Sequence, residues 1–459
     1  MRIVLLCGGS GKRLWPLSND IRSKIFLKLL PHENGTRESM MERICRQLDA
    51  AGLLPFTSIV THQNQVEIMK NQVGENIPII SEPLKKGTYA AVALATAYFH
   101  SVMHIPADET ICVIPADLLV DSTFFKTIAS LPDILSASGS DLVLLGTTPT
   151  SASNQFGYIV PTPHSEAAYA PVHRFVEKPN TRHARRLIKQ GALWNCGVFA
   201  FRQSFMLAHL QHKELPVNYE EWLPLYEHLS EQGFDYEVVE KARCAAVVPY
   251  TGMWQDLGSW EAFTNHLGTA VIGPGEITKD SVHTHIVNEL SQPITVLDVS
   301  NVIVAASLDG ILVASKKNAS RIKQLIPGVP TRPLYEEKRW GSYHVLDYSV
   351  TDTGLETLTK KITLLPGKNI SYQLHHKRSE VWTITSGSGE FILEDQCFAV
   401  KTGDVIRIPR GAKHGVKALT TLECIEVQIG TKLTEEDITR IAMSWEKALQ
   451  YCTRQDPSI

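Results

Sequence analysis

The residues that follow the first apolar run are of types that could bind phosphate. Positions 5–18 read LLCGGSGKRLWPLS, so a strand-like run leads directly into Gly8-Gly9-Ser10-Gly11 and then the basic pair Lys12-Arg13. Glycines let backbone amides close on phosphate oxygens, and a nearby guanidinium can neutralise the charge that develops as a phosphoryl bond breaks. The chemistry implied is binding of a nucleoside triphosphate. Two commoner motifs are excluded: a Walker A loop needs Ser or Thr after Gly-Lys, where Arg13 stands, and a dinucleotide fingerprint needs a third glycine, where Leu14 stands. A hard oxygen donor for a cation follows the apolar run ICVIPAD, which delivers Asp117 at the carboxyl end of a buried strand.

A second constellation is Gln373-x-His375-x-x-Arg378-x-Glu380, followed far downstream by His414. On an extended strand Gln373 and His375 share one face, and a carboxylate with a distant imidazole completes a four-ligand site for a divalent metal such as Zn²⁺. The eight cysteines never form a Cys-x-x-Cys pair, which argues against a zinc-thiolate site. They read as reduced thiols within apolar runs.

Two kinds of element must position these residues. Up to about residue 270, strand-like runs (RIVLLC, ICVIP, LVLLG, VHRFV, GVFAF) alternate with segments of helical period such as SMMERICRQLDAAG and TYAAVALATAYFHSVM. That is an α/β pattern, predicting a mostly parallel sheet with ligands at the carboxyl ends of its strands. From 271 to 330 short apolar runs are separated by Ser-Asn and Asp-Gly, as in stacked strands or a meander. From 331 to 459 the runs KKITLL, EVWTIT, GEFILE and VIRIPR predict an all-β barrel or sandwich. The capping-box pattern Thr434-Glu435-Glu436-Asp437 predicts a final helix reaching Leu449. With 45 Lys+Arg against 48 Asp+Glu, the net charge is −3, and no basic run is present, which excludes a nucleic-acid binder acting by bulk charge. No apolar stretch reaches the roughly 18 residues of a membrane span, and the N-terminus lacks a cleavage site, so the expected location is cytoplasmic.

GGSGKRLWPLS resembles the opening signature of the sugar-1-phosphate nucleotidyltransferases, and within them of the mannose-1-phosphate guanylyltransferases with a C-terminal mannose-6-phosphate-isomerase-like cupin. Further matches occur in the family's order at Ser23-Lys24-Ile25-Phe26-Leu27, Glu82-Pro83, Pro115-Ala116-Asp117, Phe156-Gly157-Tyr158-Ile159, Phe175-Val176-Glu177-Lys178-Pro179, Trp194-Asn195-Cys196-Gly197 and Trp254-Gln255-Asp256-Leu257-Gly258-Ser259-Trp260. The resemblance implies a Rossmann-like (GT-A-like) nucleotide-diphospho-sugar transferase domain, a β-rich connection and a cupin barrel. It also implies transfer of GMP from GTP to α-D-mannose 1-phosphate, with Mg²⁺ on Asp117 and Asp256. Arg13 and Lys24 would grip the triphosphate, Glu82 and Gly87 would lie at the nucleotide, and Lys178 would meet the sugar's phosphate. Glu177, pointing away from Lys178 if the segment is extended, would join Gly157 and Asn195 at the sugar. Gln373, His375, Glu380 and His414 resemble the metal ligands of type II mannose-6-phosphate isomerases, with Arg378 beside them. A homodimer is a family expectation.

Three departures from the family pattern are visible. Glu82-Pro83 continues as Leu84-Lys85-Lys86-Gly87 rather than into an Arg-Asn-Thr run, Ser23 replaces a proline, and Cys196 replaces a serine. The first leaves open another base or hexose. A bifunctional enzyme that also interconverts mannose 6-phosphate and fructose 6-phosphate is an alternative, as is a non-catalytic sugar-nucleotide sensor. Retention of both Asp117 and Asp256 speaks against the sensor, because binding alone does not need two metal carboxylates.

Overall fold

The computed structural model describes residues 1–9, 12–162, 168–325 and 333–452. They divide into two units, one holding nearly all described residues up to 325 and the other nearly all from 333 onward. The first is built on a nine-stranded sheet. Its spatial order is Ile79–Glu82, Thr57–His62, Arg2–Leu6, Thr110–Pro115, Leu193–Arg202, Leu142–Thr147, Ala245–Tyr250, Ala170–Val176, Tyr158–Pro161.

The first four of these strands are parallel, as expected where a crossover helix separates strands. Met40–Ala50 is one such helix, and Ser39 and Glu42 close its capping box. Gly87–Ser101 is another, apolar on most sides and sunk into the core with Val4, Val113 and Phe199. Beyond Thr110–Pro115 the expectation of a mostly parallel sheet is corrected. Leu193–Arg202 runs antiparallel to both of its main neighbours, and Ala170–Val176 pairs antiparallel with Tyr158–Pro161 and Ala245–Tyr250. Strand-helix alternation fixes direction only across a crossover, and Tyr158–Pro161 and Ala170–Val176, only eight residues apart, pair antiparallel without one.

In the 271–315 stretch, Val271–Ile272 lies parallel to His285–Asn288 and Gly275–Ile277 parallel to Ile294–Val296, the stacked alternative of the sequence reading. Ile286, Val296 and Val304 form its small core.

The second unit consists of a six-stranded and a five-stranded antiparallel sheet around Leu358, Ile362, Trp382, Phe391 and Val416. The helix expected from Thr434 to Leu449 is corrected. Asp437 does not cap a helix there but accepts the backbone N–H groups of His376 and Lys377, each at 3.0 Å. Thr439–Ala442 then joins Asn369–Leu374 as a strand, and helix is confined to Trp445–Ala448, capped by Ser444, and one following 3₁₀ turn. All eight cysteines are free thiols, five of them buried. Among the described residues no helix is long and apolar enough to cross a membrane.

Candidate functional site

The carboxyl ends of the parallel strands place the charged residues. Leu6 is in register with Pro115, so the loop at Gly8-Gly9 and the turn at Asp117 leave the sheet side by side. Trp254–Asp256 pairs antiparallel with Leu118–Val120, with Asp256 opposite Leu118, which brings the second carboxylate next to the first. The Lys24 ammonium lies between them, 2.7 Å from Asp117 Oδ2 and 3.4 Å from Asp256 Oδ1. Arg13 belongs to the same cluster: a methyl placed on Gly258 would lie 3.2 Å from its Nη1 and 3.1 Å from Asp256 Oδ1. Burial alone would raise the Asp117 carboxyl, but Lys24 and Arg13 outweigh it and hold Asp117 below its ordinary value. At Asp256 burial, with Asp117 alongside, outweighs Lys24 and raises it. Two adjacent carboxylates sharing one ammonium are a donor set that fits a divalent hard cation.

A cleft of ≈ 310 Å³ opens here, lined among others by Gly8, Gly9, Lys24, Glu82, Asp117 and Asp235. Glu82 ends the strand Ile79–Glu82 and accepts the Tyr226 hydroxyl at 3.1 Å. Burial drives its carboxyl up to about 7 against the opposing effects of Tyr226 and Lys85. Lys85, Lys86 and Gly87 line the same cleft. Gly87 has φ +85°, and a side chain there would run into the Gln232 carbonyl. Ser10, Gly11 and the Lys12 side chain lie outside the described residues.

Gly157, Glu177, Lys178 and Asn195 form a second cluster. A Cβ on Gly157 would fall 2.5 Å from Glu177 Oε2 and 3.3 Å from Asn195 Cβ, so only glycine lets these two approach. Asn195 N donates to Gly157 O at 2.9 Å, and a bulge after Asn195, with Gly197 at φ +72°, turns the strand toward Pro115. The expectation that Glu177 and Lys178 point apart is corrected. Lys178 has φ +42°, so the segment is not extended, and its ammonium meets Glu177 Oε1 at 2.7 Å. Glu177 is buried while Lys178 remains half exposed. Sequence reasoning missed Asp235, which accepts Asn195 Nδ2 at 2.7 Å and links this cluster to the cleft. Burial first, and Glu177 next, push its carboxyl up to about 6. Nothing in GFDYEVVE sets this acid apart from a surface one; only the fold does.

In the second unit, His375, Glu380 and His414 are buried with ligand atoms within 4.8 Å of one another. Gln373 lies opposite His414 in the strand register, its Nε2 3.3 Å from His375 Nε2. Each histidine turns Nδ1 to a backbone carbonyl, of Asp437 and of Ala412, leaving Nε2 for the centre of the cluster. His414 Nε2 is buried without a hydrogen-bond partner. Arg378 donates to Glu380 Oε1 at 2.8 Å and lies 3.1 Å from His375 Nε2. Burial would raise Glu380, but His414, His375 and Arg378 bring it down to about 2. Two imidazoles, one with an unpartnered Nε2, and a carboxylate fit a zinc-like divalent ion.

Comparison with known proteins matches these two parts separately. The family model described as nucleotidyl transferase covers residues 2–269, and that described as mannose-6-phosphate isomerase C-terminal covers 334–443. Mannose-1-phosphate guanylyltransferase RfbM of Salmonella typhimurium is 28% identical over 95% of this chain and 96% of its own length. The alginate biosynthesis protein AlgA of Pseudomonas aeruginosa is 27% identical over 95% of each chain. A crystal structure of a mannose-1-phosphate geranyltransferase, so titled, from Thermus thermophilus superposes with a TM-score of 0.60 at 29% identity, covering 71% of this chain and 98% of that one. With that first model spanning more than half of its residues, the chain belongs to the nucleotidyl transferase family, and a domain of the mannose-6-phosphate isomerase C-terminal family follows.

Proposed function

We propose that the protein transfers GMP from GTP to α-D-mannose 1-phosphate, releasing pyrophosphate and forming GDP-mannose. The observation that carries this reading is the Asp117–Lys24–Asp256 cluster, whose Asp117 and Lys24 line a cleft that also carries Glu82 and Asp235. The similarity to guanylyltransferases along nearly the whole chain supports the choice of substrates.

The reaction joins two anions, so it needs positioning and charge cancellation more than a covalent nucleophile. Arg13 and Lys24 neutralise the triphosphate, the amides of the Gly8-Gly9 loop cradle it, and Lys178 swings from Glu177 to the sugar's phosphate. That phosphate's oxygen attacks the α-phosphorus, and the bond to pyrophosphate breaks on the opposite side. Glu177 and Asn195 hold ring hydroxyls. Glu82 accepts the paired N–H groups that guanine presents and adenine does not. Asp117 and Asp256 would hold Mg²⁺, which supplies charge neutralisation at the phosphates. Pyrophosphate release tests the reading with GTP, ATP, UTP, CTP and dTTP, each offered with mannose 1-phosphate and glucose 1-phosphate. Release chiefly from GTP with mannose 1-phosphate is expected; another preferred pair moves the specificity, and silence throughout leaves the sensor.

A second activity is favoured by the barrel. A cavity of ≈ 150 Å³ beside the histidine cluster is lined by Gln373 and by Lys338, Lys360, Arg378 and Arg440, four cations suited to a sugar phosphate. Interconversion of mannose 6-phosphate and fructose 6-phosphate fits it; Gln373, His375, Glu380 and His414 would hold the ion, which would supply polarisation of the sugar carbonyl. A coupled isomerase assay on metal-loaded protein decides it.

A further inference from the structure

Asp235 is a cleft carboxylate to which the transfer chemistry above gives no task. It is held rigidly. The Phe234 ring packs against Phe199 and Phe201 with centroids 5.1 and 5.8 Å away, and Phe234 N donates to Thr88 Oγ1 at 2.8 Å. A single π-helical turn, Asp235–Val239, follows, closed by Glu240 N on Asp235 O at 2.8 Å with Val238 and Val239 buried beneath it. A wide turn of this kind is costly unless something requires it, and such turns gather at functional sites.

The hydrogen bonds show what remains available. Asp235 Oδ1 takes Asn195 Nδ2, and Asn195 Oδ1 takes the Gly197 amide at 3.0 Å. What is left to face a ligand is the second Asp235 oxygen and the second Asn195 N–H, with Glu177 close enough to raise the Asp235 carboxyl. The Lys178 ammonium is held on Glu177 at 2.7 Å, so two carboxylates here face one cation and the remaining acceptor capacity suits hydroxyl protons. Lys24 and Arg13 gather at the other cluster, with Asp117 and Asp256. The cleft therefore offers acceptors for a neutral polyol at Asp235, with Lys178 beside them for the sugar's phosphate, and cations for the triphosphate at Lys24 and Arg13.

We propose that Asp235 is a specificity-determining residue whose carboxylate accepts hydrogen bonds from ring hydroxyls of the hexose 1-phosphate, discriminating between epimers and turning the sugar's phosphate toward Lys178. This rests on the transferase reading and assigns its sugar selectivity to one side chain. A site built to pair with a hydroxyl rejects an analogue that misplaces it, because the buried acceptor is then left unpaired.

The experiment compares wild type with Asp235→Asn, which keeps shape and the contact to Asn195 while removing the charge. In steady state, Asp235→Asn should raise KM for mannose 1-phosphate at least tenfold, leave KM for GTP within twofold, and narrow the kcat/KM preference over glucose 1-phosphate. In calorimetry it should weaken GDP-mannose at least tenfold and GDP by less than twofold. Equal changes for both substrates and both ligands would mean that Asp235 only supports the fold, and unchanged mannose 1-phosphate kinetics would also overturn the proposal. A wild type that releases no pyrophosphate from any pair overturns the transferase reading alone, since the GDP-mannose and GDP comparison still decides Asp235.

Discussion

At the scale of single residues, the two carboxylates beside Lys24 have different tasks to lose. Asp117→Asn keeps the shape but halves the anionic donor set, so turnover should fall by about 10²–10³-fold with circular dichroism unchanged. Pyrophosphate release within tenfold of wild type would remove Asp117 from the metal site. Glu82 makes a pH-dependent prediction. Its carboxyl lies at about 7 in the folded protein against an ordinary 4.5, because burial outweighs Tyr226 and Lys85. The folded state then binds the proton more tightly than the unfolded one. Its stabilising contribution is full below pH 4.5 and is lost as pH rises through 7, on the order of 3 kcal/mol. Glu82→Gln, neutral throughout, should flatten the decline of Tm between pH 5 and 8, and parallel curves would show that other groups carry the slope. Arg13 and Asp117 were legible by residue type, after a glycine loop and at the end of an apolar run, and Lys24 and Asp256 by runs that resemble the family's; the fold brings the four together. Asp235 was not legible, since its placement depends on the buried Phe234 beside it and on Asn195 from another strand.

Elements bring these side chains within reach, and their turns can be tested apart from the chemistry. Gly87 opens the helix Gly87–Ser101 at φ +85° with the Gln232 carbonyl where a Cβ would go. Gly35 has nearly the same backbone, φ +84°, with nothing within 4 Å of the Cβ position. Gly35→Ala should cost about 1–2 kcal/mol, the price of the left-handed conformation alone. Gly87→Ala should cost more, because backbone must move as well, and it should raise KM for the nucleotide since the segment lines the cleft. Denaturant melts of the two variants isolate the clash; equal losses would show that the Gln232 loop yields freely. The strand and helix positions in the first unit were visible from hydrophobic period, but strand direction was not. Tyr158–Pro161 and Ala170–Val176 pair antiparallel, which alternation does not encode. The pattern at Thr434 was misleading for a related reason: Asp437 finds amide donors at His376 and Lys377, distant in sequence, and the chain that follows joins a sheet.

On the scale of the whole molecule, two unlike metal preferences stand in separate units. Asp117 and Asp256 offer only oxygen, the donor set of Mg²⁺, whereas His375, Glu380 and His414 offer two imidazoles and one carboxylate, which favour a softer ion. The barrel cluster is buried and has a nitrogen without a partner, so an ion held there should exchange slowly and survive dialysis. The transferase ion should not, because Asp117 and Asp256 are partly exposed and Mg²⁺ relies on phosphate oxygens as well. Elemental analysis of dialysed protein should therefore find about one zinc-like ion per chain, as the single-site chemistry requires, and little magnesium. His375→Ala and His414→Ala should each lose that ion, and with it any isomerase rate, while keeping Mg²⁺-dependent transfer. Protein stripped by chelator and given Mg²⁺ alone should regain transfer in full. Loss of both activities in the histidine variants would mean instead that the barrel supports the first unit structurally, and an unchanged ion content would move the metal away from His375, Glu380 and His414.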